Sequence, residues 1–381
     1  MKIKSAHPTF TEESIQLIAN DVADILRSGR LILGKYTERF EAAFKDYVGT
    51  RYAVAVNSGT TALQITLQYL GIKGSEVIVP TNTFLATANA VIYAGGIPVF
   101  ADIEEQALGL CPHSLRRKIG PDTKGVILVH LAGFISPHLE AIQEICRDQN
   151  LFLIEDAAHA HGARFQGLQA GALSFAGCFS FYPTKVMTTA LGGMIATNDP
   201  QLDAYARSLR HHGQTDKSLD VLTRLGNDWL LDEVRSAIGF RQVPSLEASV
   251  VRRNELAGRY AERLKGIEGV HLFVVPDHIR HAYYKYLVYL DESIPRDKLV
   301  ERLNEKHDIE VGVLYYPPCH LQPIVQEMFK TKPGDLPVSE MILRREICLP
   351  MHLSMTEQDV DRIVNALECE LAELRGNGAA R

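Results

Sequence analysis

The chain has 381 residues, 46% of them hydrophobic and 23% charged, with a formal net charge of −6. That length exceeds one small core and predicts a large domain and a smaller one. The negative balance argues against a nucleic-acid or anionic-membrane partner, and no apolar run of the roughly 18 residues needed to cross a bilayer occurs. The start, "MKIKSAHPTF", lacks the apolar run of a secretory signal. The six cysteines are scattered with no Cys-x-x-Cys pair. Neither a zinc site nor a disulfide framework is expected, and a reducing, cytoplasmic setting fits.

In chain order, short Val- and Ile-rich runs alternate with helix-like segments. "YAVAVN" (52–57) leads into "SGTTALQITLQYLG", and "EVIVP" (76–80) into "TFLATANAVIYAGG". "IPVFAD" (97–102), "GVILVH" (125–130) and "LFLIED" (151–156) follow, with a helical pattern, "PHLEAIQEICRDQN", between the last two. "CFSFY" and "GGMIATN" add two more strands. Such alternation predicts an α/β fold with a mainly parallel sheet buried on both faces by helices. Beyond about residue 230 the pattern weakens. A connecting helix is expected over 232–264, a strand over 281–290, a helix near 295–306, a strand over 309–316 and a final helix after Thr356. The boundaries that follow are a large domain, 1–245, and a smaller C-terminal α+β domain, 246–381.

Three stretches carry chemistry. In "NSGTTAL" (57–63), Ser, Gly and Thr sit where a strand becomes a helix. Free backbone N–H groups at a helix N-terminus make a phosphate site, although ordinary capping explains the same residues. No Walker motif and no GxGxxG after the first strand occurs, so a nucleoside triphosphate or dinucleotide is not suggested. In "LIEDAAHAHGA" (153–163) two acids end a strand, at the edge where parallel sheets bind ligands. Asp156 is placed to pair with a cationic ring nitrogen. The alternatives are an N-cap, or a metal cluster of Glu155, Asp156, His159 and His161, which matches no standard spacing. The third stretch holds Lys185. Over 165–198 it is the only Asp, Glu, Lys or Arg, where the average composition predicts roughly eight. A lysine so placed either snorkels to the surface or is kept as a free amine for a Schiff base. A phosphate cradle, an acid at a strand end and an isolated amine are together what pyridoxal 5′-phosphate (PLP) needs.

The chain resembles the nucleotide-sugar aminotransferases, the DegT/StrS branch of the fold-type I, aspartate aminotransferase-like enzymes. "SGRLILGKYTERFE", "VNSGTTAL", "VIVPTNTFLATANAV", "IEDAAHAHGA", "FSFYPTK", "GGMIAT", "LRHHG" and "LYYPPCHLQP" fall in the family's order nearly end to end. The resemblance implies that Lys185 holds PLP as an internal aldimine and acts as the catalytic acid and base. It implies that Asp156 pairs with the pyridine nitrogen and that His159 sits near the ring hydroxyl. Gly59, Thr60, Thr61 and Ser180 hold the phosphate, and Phe84 stacks on the ring. Asn227 reaches the phosphate of a neighbouring subunit in a homodimer with shared sites, on a stretch, "GNDWLLDEVRS", that departs from the family's usual pattern. Tyr182, Tyr316 and His320 are the expected substrate contacts; Arg210, His211 and His212 face either a diphosphate or solvent. The implied reaction carries an amino group from L-glutamate to a nucleotide-linked ketosugar, dTDP-4-keto-6-deoxyhexose, giving the 4-amino sugar. A 3-keto isomer, a PLP-dependent dehydratase of the same fold and a non-catalytic binding protein are the alternatives. Lysine at 185 favours amino transfer over the relatives that carry histidine there and dehydrate.

Overall fold

A computed structural model describes residues 2–215 and 222–376. Its centre is a seven-stranded sheet. In chain order the strands are β1 (Tyr52–Val56), β2 (Glu76–Pro80), β3 (Ile97–Ala101), β4 (Thr123–Val129), β5 (Phe152–Asp156), β6 (Ala176–Ser180) and β7 (Gly193–Thr197). They lie side by side as β1-β7-β6-β5-β4-β2-β3. Only β7 runs against its neighbours, β1 and β6. The other pairings are parallel.

Each strand is apolar on both sides because both faces are covered. Ala53, Ala55, Val126 and Leu128 pack into one core with Phe40, Phe44 and Ile142 from helices Lys35–Val48 and Leu139–Asp148. Their strand neighbours Val54, Val56, Ile127 and Val129 pack into another core with Leu63, Ala90 and Leu202 from helices Gly59–Tyr69, Ala86–Tyr93 and Pro200–Leu209. The alternation is the period-2 geometry of a strand acting on continuous apolar sequence. Phe40 and Phe44 are fully buried, each contributing about 1.5–3 kcal/mol by area.

A charged residue fixes how the first of these helices begins. Glu233, 1% exposed, accepts hydrogen bonds from the N–H groups of Gly34, Tyr36 and Thr37 at 2.8–2.9 Å. The carboxylate thereby satisfies orphan donors at a helix N-terminus, where negative charge is also favoured by the helix dipole.

The C-terminal part has its own core around a three-stranded antiparallel sheet of Val270–Leu272, Tyr286–Leu290 and Glu346–Leu349. Helices Arg296–Lys306 and Glu357–Gly376 cover it. The two cores meet inside the single helix Glu233–Leu264: Val243, Leu246 and Val250 belong to the first, and Leu256, Ala257 and Tyr260 to the second. Ile3, near the N-terminus, bridges to Ile309 and joins the C-terminal core. The expected boundary at 245 therefore falls within a continuous helix, and the first residues pack with the end of the chain.

Two expected strands differ. The stretch 281–290 is a strand only from Tyr286; residues 281–285 form an irregular segment whose amides bond to Gly133 and Ala132 carbonyls. The stretch 309–316 makes only isolated bridges, Ile3 to Ile309 and Gly312 to Cys348. Its run of β-branched and aromatic residues suits a strand, but Tyr315 takes a left-handed backbone, φ 61°, which ends any ladder.

Candidate active site

The carboxyl ends of β1, β5 and β6 converge on one cleft of about 410 Å³. Ser58, Gly59, Thr60, Asp156, His159, Ser180 and Lys185 all line it, residues far apart in sequence brought to one edge by parallel strands.

Helix Gly59–Tyr69 starts at that edge with Ser58 as N-cap, its hydroxyl accepting from the Thr61 N–H at 3.1 Å. Close packing explains the glycine. A Cβ on Gly59 would lie 2.9 Å from the Ser180 Cβ and 3.2 Å from the Phe179 carbonyl oxygen. A Cβ on Gly193 would lie 2.3 Å from the Ser58 carbonyl carbon. The cradle thus needs two glycines to bring the helix end against β6 and β7. Thr60 and Ser180 line it as expected. Thr61 does not: its hydroxyl donates to Asn57 at 2.7 Å, and it is 6% exposed. Thr61, expected to help hold a phosphate, is absent from the lining, and Ser58 stands there.

Asp156 ends β5 with one oxygen accepting from the Thr87 hydroxyl at 2.7 Å and the other from the Ala158 N–H at 3.1 Å. Thr87 in turn bonds the Thr83 hydroxyl at 2.8 Å. The capping alternative is therefore partly realised, at a turn rather than a helix. Glu155, one residue earlier, points to the opposite face. It is fully buried and bonds His130, the Gly171 and Leu173 N–H groups and Ser174. Strand alternation thus separates the two acids of the supposed metal cluster. Among the described residues no group of three or more His, Cys, Asp or Glu is placed to hold a metal ion.

Lys185 lies in the loop after β6, half-buried, its Nζ 4.8 Å from the centroid of the Tyr284 ring. Its backbone N–H donates to the Tyr182 carbonyl at 3.0 Å, but its side-chain amine makes no hydrogen bond or ion pair among the described residues. Its pKa is lowered to about 8, by burial first and then by the Lys285 ammonium, against the opposing pull of Asp156. A desolvated amine with no carboxylate in contact is what a Schiff-base lysine requires.

His159 is buried, 5% exposed. Its Nδ1 accepts from the Ala132 N–H at 3.2 Å, and its Nε2 lies 2.9 Å from the Tyr315 hydroxyl. Burial first, then the Lys185 charge, pushes its pKa well below the ordinary value, so the ring is neutral. Phe84 and Tyr182 line the same cleft, 62% and 52% exposed, large aromatic surface left open to solvent at its rim.

The remaining expectations separate. His320 is fully buried, bonded to Thr81 at 2.8 Å and Glu340 at 3.0 Å, and has no surface from which to touch a substrate. Tyr316 lines a different cavity, under the Arg296 guanidinium at 4.5 Å. Neither residue lines the cleft that holds Lys185. Tyr315, with a left-handed backbone, lines the cleft instead. Arg210, 5% exposed, bonds Glu41 at 2.5 Å and the Ala55 carbonyl at 2.7 Å, so it is structural and not a diphosphate contact. Asn227 is exposed, accepts from the Asp228 N–H at 2.8 Å and stands outside this cleft. Sequence reading missed Thr83, Thr87, Tyr284 and Tyr315. The two threonines sit within "TNTFLAT", and the tyrosines sit in runs that read as strands.

A model described as the DegT/DnrJ/EryC1/StrS aminotransferase family matches residues 12–368. The GDP-perosamine synthase of Caulobacter vibrioides is 35% identical over 343 residues, 88% of this chain and 90% of its own. The dTDP-3-amino-3,4,6-trideoxy-alpha-D-glucose transaminase of Micromonospora megalomicea subsp. nigra is 33% identical over 356 residues, 92% of this chain and 93% of its own. The solved structure of S. venezuelae DesV in complex with a ketimine intermediate matches with a TM-score of 0.89 at 32% identity, over 96% of this chain and 98% of its own.

Proposed function

The chain belongs to the DegT/DnrJ/EryC1/StrS aminotransferase family, and we propose on that premise that it carries an amino group from L-glutamate to a nucleotide-linked ketosugar. The family is PLP-dependent, and the residues of the cleft fit that cofactor. The glycine-lined helix N-terminus suits its phosphate, Asp156 suits its protonated ring nitrogen, and Lys185 suits its aldehyde. Bound there, the cofactor supplies an electron-accepting ring to the carbon that gains or loses nitrogen.

The protein's own groups do the rest. Asp156, held in place by the Thr87 hydroxyl and the Ala158 amide, would pair with the cofactor's cationic ring nitrogen. Lys185, depressed to about 8, exists in part as free amine near neutral pH. It can take a proton from one carbon and return it to another, as general base and then acid. Phe84, in the lining, offers a flat apolar face to the ring. Asn227, outside its own cleft, is proposed to contact the phosphate in the site of a second copy. Exposed apolar side chains at Phe84, Tyr182 and Leu191, on segments bordering the cleft, support a homodimer with shared sites. A cytoplasmic setting is proposed with it; among the described residues no helix is long and apolar enough to cross a membrane.

The substrate is proposed as a dTDP-linked 4-keto-6-deoxyhexose. One relative's name carries a dTDP-linked 3-amino-3,4,6-trideoxy sugar, which supports the nucleotide and the 6-deoxy carbon and favours a 3-keto isomer as the second reading. The carrying observation is Lys185, a half-buried amine with no ion pair, in one cleft with Asp156 and a helix N-terminus. The test is a panel of dTDP-, GDP- and UDP-linked 3- and 4-ketosugars with glutamate as donor. Formation of the 4-amino product from the dTDP sugar is expected. Turnover by Lys185→Ala at the wild-type rate would sink the mechanism.

A further inference from the structure

Tyr315 was not among the expected site residues, yet its hydroxyl lies in the cleft, 2.9 Å from the His159 Nε2. Its ring stacks on His159, centroids 5.8 Å apart at 20°, and lies 5.7 Å from the ring of Phe84. The left-handed backbone at Tyr315, φ 61°, is an uncommon conformation for an aromatic residue and turns the side chain inward.

The proton count on His159 then decides what Tyr315 does. Nδ1 faces the Ala132 N–H at 3.2 Å. A backbone amide can only donate, so Nδ1 must be an unprotonated acceptor. That amide is itself fixed: Ala132 has φ 56°, and its carbonyl accepts from the Tyr284 N–H at 2.9 Å. With Nδ1 bare, the imidazole carries its proton on Nε2. The Nε2–H must therefore donate to the tyrosine oxygen at 2.9 Å. If the tyrosine donated instead, the ring would have no proton at all. The Tyr315 hydroxyl proton is thus left without its nearest acceptor, and no other partner for that hydroxyl is found among the described residues. Tyr315 borders the cavity that holds Lys185 and Asp156.

We propose that Tyr315 is a substrate-contacting donor, its O–H aimed into the cleft by the fixed His159 tautomer, where it binds a neutral oxygen of the sugar ring; this rests on the aminotransferase reading. A neutral phenol suits a ketone or hydroxyl oxygen. The carboxylates of the amino donor are better met by cations.

Two measurements test it. Nitrogen-resolved NMR of the cofactor-free protein, with His159 assigned against a His159→Gln control, is expected to show the Nε2–H tautomer at neutral pH. The same tautomer is expected in Tyr315→Phe, because Ala132 imposes it. An Nδ1–H tautomer or an imidazolium in either protein overturns the proposal. The two half-reactions are then followed separately in Tyr315→Phe, which removes only the hydroxyl. Cofactor loading and the glutamate half are expected unchanged, while kcat/KM for the ketosugar falls about three- to tenfold, the loss of one neutral hydrogen bond. Equal losses in both halves, or none in the sugar half, overturn it. A wild-type protein inert toward glutamate and every ketosugar overturns the aminotransferase reading and the sugar contact with it. The tautomer in the NMR spectrum still stands or falls by itself.

Discussion

Charge around Lys185 is set by few groups, and each has a signed effect. Burial lowers its pKa, Asp156 opposes that and Lys285 adds to it, with a net value of about 8. The reactive form is the free amine, so cofactor uptake by the apoprotein should accelerate as pH rises through about 8. A stopped-flow pH series reads this midpoint. Replacing Lys285 by Met removes a positive charge near the amine, which makes protonation easier. The midpoint should then move to higher pH; a move to lower pH would contradict the assignment. The isolation of Lys185 was legible because its flanking residues lack charge. The role of Lys285 was not, since it lies a hundred positions away and meets Lys185 only across the Tyr284 ring.

Two joints between elements carry the site. The first is the approach of helix Gly59–Tyr69 to β6. Gly59→Ala places a Cβ 2.9 Å from the Ser180 Cβ, and the helix must shift. A loss of about 1–3 kcal/mol is expected from such overpacking, with weaker cofactor binding. Thermal melts of the apoprotein and a cofactor titration read the two effects separately. The second is Glu233 on the start of helix Lys35–Val48. Glu233→Gln keeps the shape but replaces a charged acceptor serving three amides by a neutral one. A cost of about 1–3 kcal/mol is expected by denaturant titration. This cap was not legible in the sequence, because the acid arrives from about 200 residues away.

At the scale of the molecule, the proposed sharing of sites between copies predicts complementation. Lys185→Ala lacks the amine, and Asn227→Ala lacks the contact proposed in trans. Mixed after partial dissociation, the two variants should regain about a quarter of wild-type activity per subunit, since half the dimers are mixed and each has one intact site. Activity no higher than the sum of the two parents would argue that each chain is complete in itself. Sedimentation of the wild type should show a dimer.

Periodicity and local chemistry were enough for the alternating strands and helices, the phosphate-type turn at Gly59, the acid at Asp156 and the lone amine at Lys185. Each depends on neighbours within a few residues, which is what a sequence displays. Tertiary structure alone decided which side chains face the cleft. Thr61 and His320 have the right chemistry, but burial and local hydrogen bonds turn them away. Tyr315, not Tyr316, lines the cleft, on a stretch where a left-handed residue interrupts the expected strand. Thr87, Tyr284 and Ala132 act through contacts made across 69, 100 and 27 positions of chain respectively. Nothing in a one-dimensional pattern encodes such contacts, because they arise only when the strands align their carboxyl ends at one edge.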